Sequence, residues 1–346
     1  MPKVIAIQPD RFQTKHGSQS FSEVWMRQLS GVDGVSVREV DIYQARGLES
    51  VHGADAFLWR GTGDPHTATA RRIIPAIEQG LRIPTFPSAR TAWLTRDKVA
   101  QSLLLTAAAL PTPKTWIFFT LDKALEFLDD ADFPLVIKLA NGRGSSDVAL
   151  LHDKDEAIRL AHCLFGAGLG GQWEGMGSEA RLAMRRLRRS IELARGSDDA
   201  LRREGGYAYF QEFVPGNAHD TRVTLIGERA FAFRRLNRAG DFRASGSGLI
   251  DWAPDKIPAA AIALAFKVAH ELDLPFIALD LLERNGAPEI CEINFAYASW
   301  AVRACPGSWS LDGATPIWHP GELSPEALTL HEFMRMHGLA DTGYSH

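Results

Sequence analysis

The sequence has little of what would place it outside a reducing, aqueous compartment. It contains three cysteines, Cys163, Cys291 and Cys305, in 346 residues. None stands in a Cys-x-x-Cys pair and the count is odd, so they read as free thiols rather than a disulfide framework. Long apolar runs are also missing. The most alanine-rich stretch, Ala259–Phe266, stops at Lys267, far short of the ~20 residues of a membrane span. Near the N-terminus the run Val4–Ile7 is broken at once by Gln-Pro-Asp, too early for the core of a signal peptide. Nor is one sign of charge in excess: 38 basic and 42 acidic side chains leave a net charge of −4, which gives no general case for nucleic acid or an anionic membrane. The chain has no Gly-Lys dipeptide, which excludes a P-loop. The expectation is a cytoplasmic protein with no nucleic-acid or membrane partner; a homodimer is left open.

What is present is an ordinary globular composition, 45% hydrophobic and 23% charged. A chain of this length favours two or three domains, since single cores stop growing near ~250–300 residues. The first 90 residues alternate strand (Lys3–Gln8, Val35–Ile42, Ala54–Arg60) and helix (Phe21–Leu29, Thr67–Gln79 with a kink at Pro75). That alternation predicts an α/β layer with a parallel sheet. A second α/β unit follows: helix Asp97–Ala109, strand Thr115–Phe119, helix Leu121–Leu128, strand Leu135–Leu139, strand Asp147–Leu151 and helix Lys154–Phe165. Gly166–Gly177 holds six glycines, and Ser178–Arg195 reads as a basic helix whose charged face either is solvated or docks an acidic polymer. The remainder is mainly β: Tyr207–Val214, a hairpin of Asp220–Ile226 and Arg229–Leu236, a helix Pro258–Leu272, and the strands Phe276–Glu283 and Pro288–Asn294 around Asn285-Gly286.

The chemistry concentrates in Pro275–Asn294. Two apolar strands carry Asp280, and Glu292 with Asn294, where apolar residues are expected. Glu292 and Asn294 are two apart and so share a strand face. Oxygen donors on a rigid sheet suit Mg²⁺, which prefers carboxylates, an amide oxygen and substrate phosphates. The alternative is a set of solvated positions on an edge hairpin. Lys138 interrupts the apolar strand Leu135–Leu139 just before Gly142-x-Gly144-Ser-Ser. A lysine in a buried strand needs a partner; a nucleotide phosphate supplies one, and loop N–H groups can fold over the same phosphates. Gln211–Gly216 ends a strand with Phe213 and Val214 as apolar walls for a flat heterocycle, or is simply a strand exit. Arg234, Arg235, Arg238 and Arg243 crowd a Gly/Ser loop, a setting for bidentate phosphate contacts or for solvation.

The order of these elements resembles the ATP-grasp superfamily, above all glutathione synthetase and the glutamate ligases that tail ribosomal protein: lysine before a helix, lysine in a strand, glycine loop, polar hinge, arginine loop, then Asp…Glu-x-Asn. The resemblance spans Ala92 to Asn294, about 200 residues. It implies an ATP-grasp fold with an N-terminal Rossmann-like pre-ATP-grasp domain, divided as 1–92, 93–206 and 207–346. It further implies that Lys98 and Lys138 contact ATP phosphates, that Glu212 and Val214 bind adenine through their backbones with Phe213 beside the ring, and that Asp220 binds the ribose. Arg243 would stabilise the transferring phosphoryl group, with Ser245 beside it. Asp280, Glu292 and Asn294 would hold one or two Mg²⁺ ions, Mn²⁺ being a substitute. Two departures stand out. Ser245 replaces the asparagine usual two residues after the arginine, and the Pro-Gly turn usual after Glu-x-Asn is replaced by the aromatic run Phe295–Trp309, which either lines an acceptor pocket or packs in a core.

The implied reaction joins a small-molecule or peptide carboxylate to an amine through an acyl phosphate, releasing ADP and phosphate. Rivals are a kinase on the same ATP site and a nucleotide-binding module without turnover. A dinucleotide oxidoreductase, suggested by Gly61-Thr-Gly63, is set aside for want of a third glycine at the right spacing. Ligands in open α/β sheets gather at strand carboxyl ends. Here those ends carry Asp10-Arg11 and Arg60-Gly-Thr-Gly63, so Arg11 or Arg60 is a candidate for a substrate carboxylate, solvation being the alternative. A register constraint completes the reading. A two-residue Asn285-Gly286 turn pairs Asp280 with Cys291 and turns Glu292 away. A shared metal therefore requires that the tight turn be absent or offset by a β-bulge.

Overall fold

In the computed structural model, residues 2–10, 20–61, 66–141, 147–166, 168–169, 204–339 and 342–343 are described. The readings on Arg11, on the glycine loop 142–146, on Gly63, on most of the glycine-rich stretch after Gly166 and on the basic helix 178–195 fall outside them.

The first layer forms as its alternation predicts. β1 (Lys3–Gln8), β2 (Val35–Glu39), β3 (Ala56–Trp59) and β4 (Thr85–Phe86) make a parallel sheet in the order β2-β1-β3-β4. β2 stops short of Ile42 because Asp41 Oδ1 accepts from the Tyr43 N–H at 3.0 Å, a local turn that competes with the ladder. α1 (Phe21–Leu29) begins at Ser20, whose hydroxyl caps the Glu23 N–H. α2 (His66–Pro75) gives way at Pro75 to a wide turn, Ala76–Leu81, since proline has no N–H for the helical ladder.

α3 (Ala89–Leu94) and α4 (Lys98–Ala107) lead out of this layer. The second sheet is antiparallel, β5-β8-β6-β7, from β5 (Thr115–Phe118), β6 (Leu135–Lys138), β7 (Val148–Leu151) and β8 (Ala208–Glu212). α5 (Leu121–Asp129) and α6 (Lys154–Phe165) cover one face and share its apolar core.

The third sheet holds β9 (His219–Ile226), β10 (Arg229–Leu236), β11 (Ile250–Asp251), β12 (Phe276–Arg284), β13 (Ala287–Asn294), β14 (Gly307–Asp312) and β15 (Thr315–Pro320). Its order is β13-β12-β9-β10-β14-β15, with β11 on β10. Val223, Leu225, Ile277, Leu279 and Leu281 point to one side, where α7 (Ala259–Glu271) buries its Ile262, Ala265 and Val268 against them. The alternate residues on the other side are charged toward one end, and that end faces the site. α8 (Ser299–Arg303) follows β13. Finally α9 (Pro325–Met336) returns to the first layer: Leu330, Phe333 and Met334 join Ile5, Ile7 and Trp25 in one core, and the Trp25 indole donates to Glu326 O at 2.9 Å.

Candidate active site

Between the second and third sheets lies a cavity of about 600 Å³. The eleven residues of the implied nucleotide and metal site line it: Lys98, Lys138, Glu212, Phe213, Val214, Asp220, Arg243, Ser245, Asp280, Glu292 and Asn294. They come from seven separate stretches of chain.

The floor is set by the register of β12 and β13. Asn285-Gly286 does form the tight turn, with Asn285 at φ 52° and Gly286 at φ 80°, and Arg284 faces Ala287. Past Leu281↔Ile290 the ladder shifts, and Asp280 pairs with Glu292 instead of Cys291. Cys291 is the extra residue of a β-bulge. The shift turns Asp280, Glu292 and Asn294 to one face while Ile290 and Ile293 both remain in the opposite core. The apolar pattern on each side of the bulge explains it, since only an inserted residue keeps both isoleucines buried.

Across the sheet, Asp280 faces Arg222 of β9, and Asp220 faces Arg235 of β10. Arg222 donates to Asp280 through Nε (2.6 Å) and Nη2 (2.7 Å), and Arg235 Nη2 reaches the same carboxylate at 2.8 Å. Arg235 also grips both oxygens of Asp220, through Nε at 2.7 Å and through Nη2. Burial alone would raise the Asp280 carboxyl, but two guanidinium groups outweigh it and hold it at about 2. Burial pushes Asp220 up, because one shared arginine faces it and the Asp280 charge lies nearby. Arg222 was not singled out in the sequence. Its signal was available: it stands two residues after Asp220, on the same strand face.

Lys98 opens α4 behind its Asp97 cap, and its Nζ lies 3.4 Å from Glu292 Oε1. Gln101, one turn on, accepts from the Ile293 N–H at 3.1 Å and donates to Leu94 O at 2.9 Å, fixing the helix against β13. Lys138 is 4% exposed at the end of β6. Its ammonium meets Cys291 O at 3.3 Å and Cys291 Sγ at 3.5 Å, with the Tyr209 ring 5.9 Å away. Burial opposes its charge, but Cys291, Tyr209 and Glu292, all anionic at the high pH where a lysine titrates, hold its pKa above the ordinary lysine value. Burial also raises Cys291, so the neighbour is a thiol near neutral pH.

At the hinge the Glu212 N–H donates to Lys114 O at 2.8 Å, and its carboxylate is held below the usual range by Arg284, which contacts it at 2.9 and 3.0 Å. The side chain is thus occupied, which leaves recognition at this position to the backbone. Phe213 meets Phe242 edge to face at 5.8 Å, and Val214 is buried. Arg243 is aimed by Asp241, whose two oxygens accept at 2.8 and 3.0 Å, and donates to Val148 O at 3.1 Å. Partial burial lowers its pKa. The aromatic run after Asn294 divides: Tyr297 and Trp300 line the cavity, while Trp309 packs in the core under α7.

Among the described residues no cluster of three His, Cys, Asp or Glu side chains could hold a metal. The donor set here is two carboxylates and an amide. Asn294 turns its Nδ2 toward Asp280 Oδ2 at 3.3 Å, so its carbonyl oxygen is the end left to accept. Glu292 and the Asn294 carbonyl oxygen are hard donors of the kind Mg²⁺ takes beside phosphate oxygens and water, while Asp280 on the same face is shared with Arg222, which donates to Oδ1 at 2.6 Å.

No family model matches the sequence, and no curated protein does. Solved structures do. A RimK-domain ATP-grasp protein from Sphaerobacter thermophilus superposes with a TM-score of 0.56 at 18% identity, over 95% of this chain and 98% of that one. D-Alanine–D-alanine ligase from Bacillus anthracis, complexed with ATP, gives 0.52 at 13% identity over 98% and 99%. N5-Carboxyaminoimidazole ribonucleotide synthetase from Thermus thermophilus gives 0.54 at 15% identity over 99% and 79%. At these identities the likeness is one of fold.

Proposed function

We propose that this chain, which has the ATP-grasp fold, is an ATP-dependent carboxylate–amine ligase working through an acyl phosphate. The observation that carries the reading is the convergence of eleven residues on one cavity, with a bulge that turns Asp280, Glu292 and Asn294 to a common face. A fold alone does not assign chemistry; the site does.

In this reading the adenine lies between Val214 and the Phe213–Phe242 wall and meets the backbone of Glu212–Val214. Asp220, though engaged by Arg235, keeps lone pairs for a ribose hydroxyl. Lys98 and Lys138 bind phosphate oxygens. Lys138 suits the task because, among the described residues, its three N–H donors meet only the Cys291 carbonyl and thiol within hydrogen-bond reach. Arg243, preset by Asp241, stabilises negative charge developing on the transferring phosphoryl group, in the way that fixed charges dominate such transfers. Bound Mg²⁺, held by Asp280, Glu292 and Asn294, would neutralise phosphate charge. The amine then attacks the activated carbonyl, and phosphate leaves.

The test is ADP release from ATP and Mg²⁺ across a panel of amino acids, acidic sugars and amines. Release that requires both a carboxylate and an amine, and that Lys138→Ala abolishes, supports the ligase. A stable phosphorylated product formed without amine would make the protein a kinase. Nucleotide binding without turnover across the panel would favour a regulatory module.

A further inference from the structure

The wall that the first layer gives to the cavity contains a group that the ATP reading leaves unused. Arg60 follows β3 at its carboxyl end and is 7% exposed. Two rings lie against its guanidinium, with the Phe21 centroid 3.9 Å and the Tyr297 centroid 4.7 Å from Cζ. Nη2 donates to Tyr297 O at 2.9 Å. Nη1 is buried and has no hydrogen-bond partner, and no acidic side chain among the described residues pairs with Arg60. The nearest acidic residue in sequence on this wall, Asp10, is spent elsewhere: it accepts from the Phe21 and Ser22 N–H groups at 3.1 and 2.8 Å and from the Ser20 hydroxyl at 2.7 Å.

A buried cation without an anion is costly, and here two rings lie against the cation. A guanidinium pairs best through its N–H edge with a flat two-oxygen anion, and Nη1 is the group still without a partner among the described residues. Arg60 lines the same cavity as the phosphate-binding lysines. We infer that Arg60, clamped by Phe21 and Tyr297, anchors a substrate carboxylate that is not the one activated. The distinction is chemical. A carboxylate about to attack phosphorus must give up its electron pair, and an ion pair to arginine that weakens as that charge is lost holds back the reaction. An anchor carboxylate keeps its charge throughout. The substrate class is therefore one with a carboxylate beyond the reacting group, such as an amino acid supplying the amine or a dicarboxylic acid supplying the acyl group.

This inference rests on the ligase reading, and the experiment separates the two. In wild-type protein with Mg²⁺ and ATP analogue present, the ¹⁵N signals of the Arg60 side chain, assigned by their loss in Arg60→Lys, are followed during titration with acetate, acetamide and inorganic phosphate. Acetate should shift them saturably. Acetamide should bind ~10–100-fold more weakly, the cost of losing a charge-assisted contact, and phosphate should not exceed acetate. Absence of a saturable acetate shift, equal binding of acetamide, or tighter binding of phosphate would overturn the anchor. With ATP, Mg²⁺ and hydroxylamine, acetate bound at Arg60 should yield no acetohydroxamate. Hydroxamate formation that disappears in Arg60→Gln would make the bound carboxylate the activated one and overturn the assignment. Nucleotide binding, recorded in the same samples, tests the ATP site independently of either result.

Discussion

Asp280 ties the charged floor together, and replacing it by asparagine has a calculable consequence. Asp280→Asn keeps the shape but removes the anion that Arg222 grips through two nitrogens and Arg235 through one. Arg235 retains Asp220, whereas Arg222 is left without an ion partner in the third sheet. Removing one member of a buried ion pair costs about 3–5 kcal/mol, a large part of the ~5–15 kcal/mol that keeps a domain folded. The pH dependence follows from the same contacts. A carboxyl held at about 2 against an ordinary 3.8 contributes stability that is present above pH ~4 and is lost as pH falls through about 2. The difference amounts to about 2 kcal/mol. Urea denaturation of wild type and Asp280→Asn, at neutral pH and stepwise down to pH 2, measures both quantities. The variant should be less stable near neutrality, and the gap should narrow below pH 4. Equal stability at neutral pH, or parallel pH profiles below 4, would refute the network.

Lys138→Ala should fold and lose nucleotide affinity ~10–100-fold, as calorimetry would register; unchanged affinity would remove Lys138 from the phosphate site. Arg243→Ala should lower kcat by ~10²–10³ with little change in nucleotide affinity, which steady-state kinetics and a binding titration separate. Iodoacetamide labelling at neutral pH, read by mass spectrometry, should reach Cys163 before the other two thiols. Burial raises Cys291 and pushes Cys305 up to about 12, so early loss of Cys305 would contradict its position beneath β10.

In the first layer β1 and α1 were legible to the residue, because local patterns set them: an apolar run, and a helical spacing of apolar positions; β2 and β3 end up shorter than expected, and the two-residue β4 was not read. Lys138 and the Asp…Glu-x-Asn set stood out as well, since each puts a polar or charged group where the pattern demands an apolar residue, whereas Lys98 came only from the family resemblance. The bulge at Cys291 could be deduced only as a requirement, by asking what register a shared face needs; its place is fixed by Ile290 and Ile293 competing for the core. Arg222 and Arg235 were harder. Arg222 shares a strand face with Asp220 and could have been flagged, but which carboxylates it and Arg235 bind depends on pairing across β12, β9 and β10, which no local window contains. The same holds for α9, whose apolar face packs against β1 about 320 residues earlier in the chain, and for the split of the aromatic run, where Tyr297 turns toward Arg60 and Trp309 toward the core.

The central claim is that one cavity binds ATP together with a divalent cation held by the shared face of β12 and β13. Calorimetric titration of the wild-type chain with ADP and with a non-hydrolysable ATP analogue, with and without Mg²⁺, tests it most directly. The account predicts one nucleotide per chain, tighter in Mg²⁺, with the Mg²⁺ effect lost in Glu292→Gln. Failure to bind either nucleotide, or binding indifferent to both Mg²⁺ and Glu292, would contradict it.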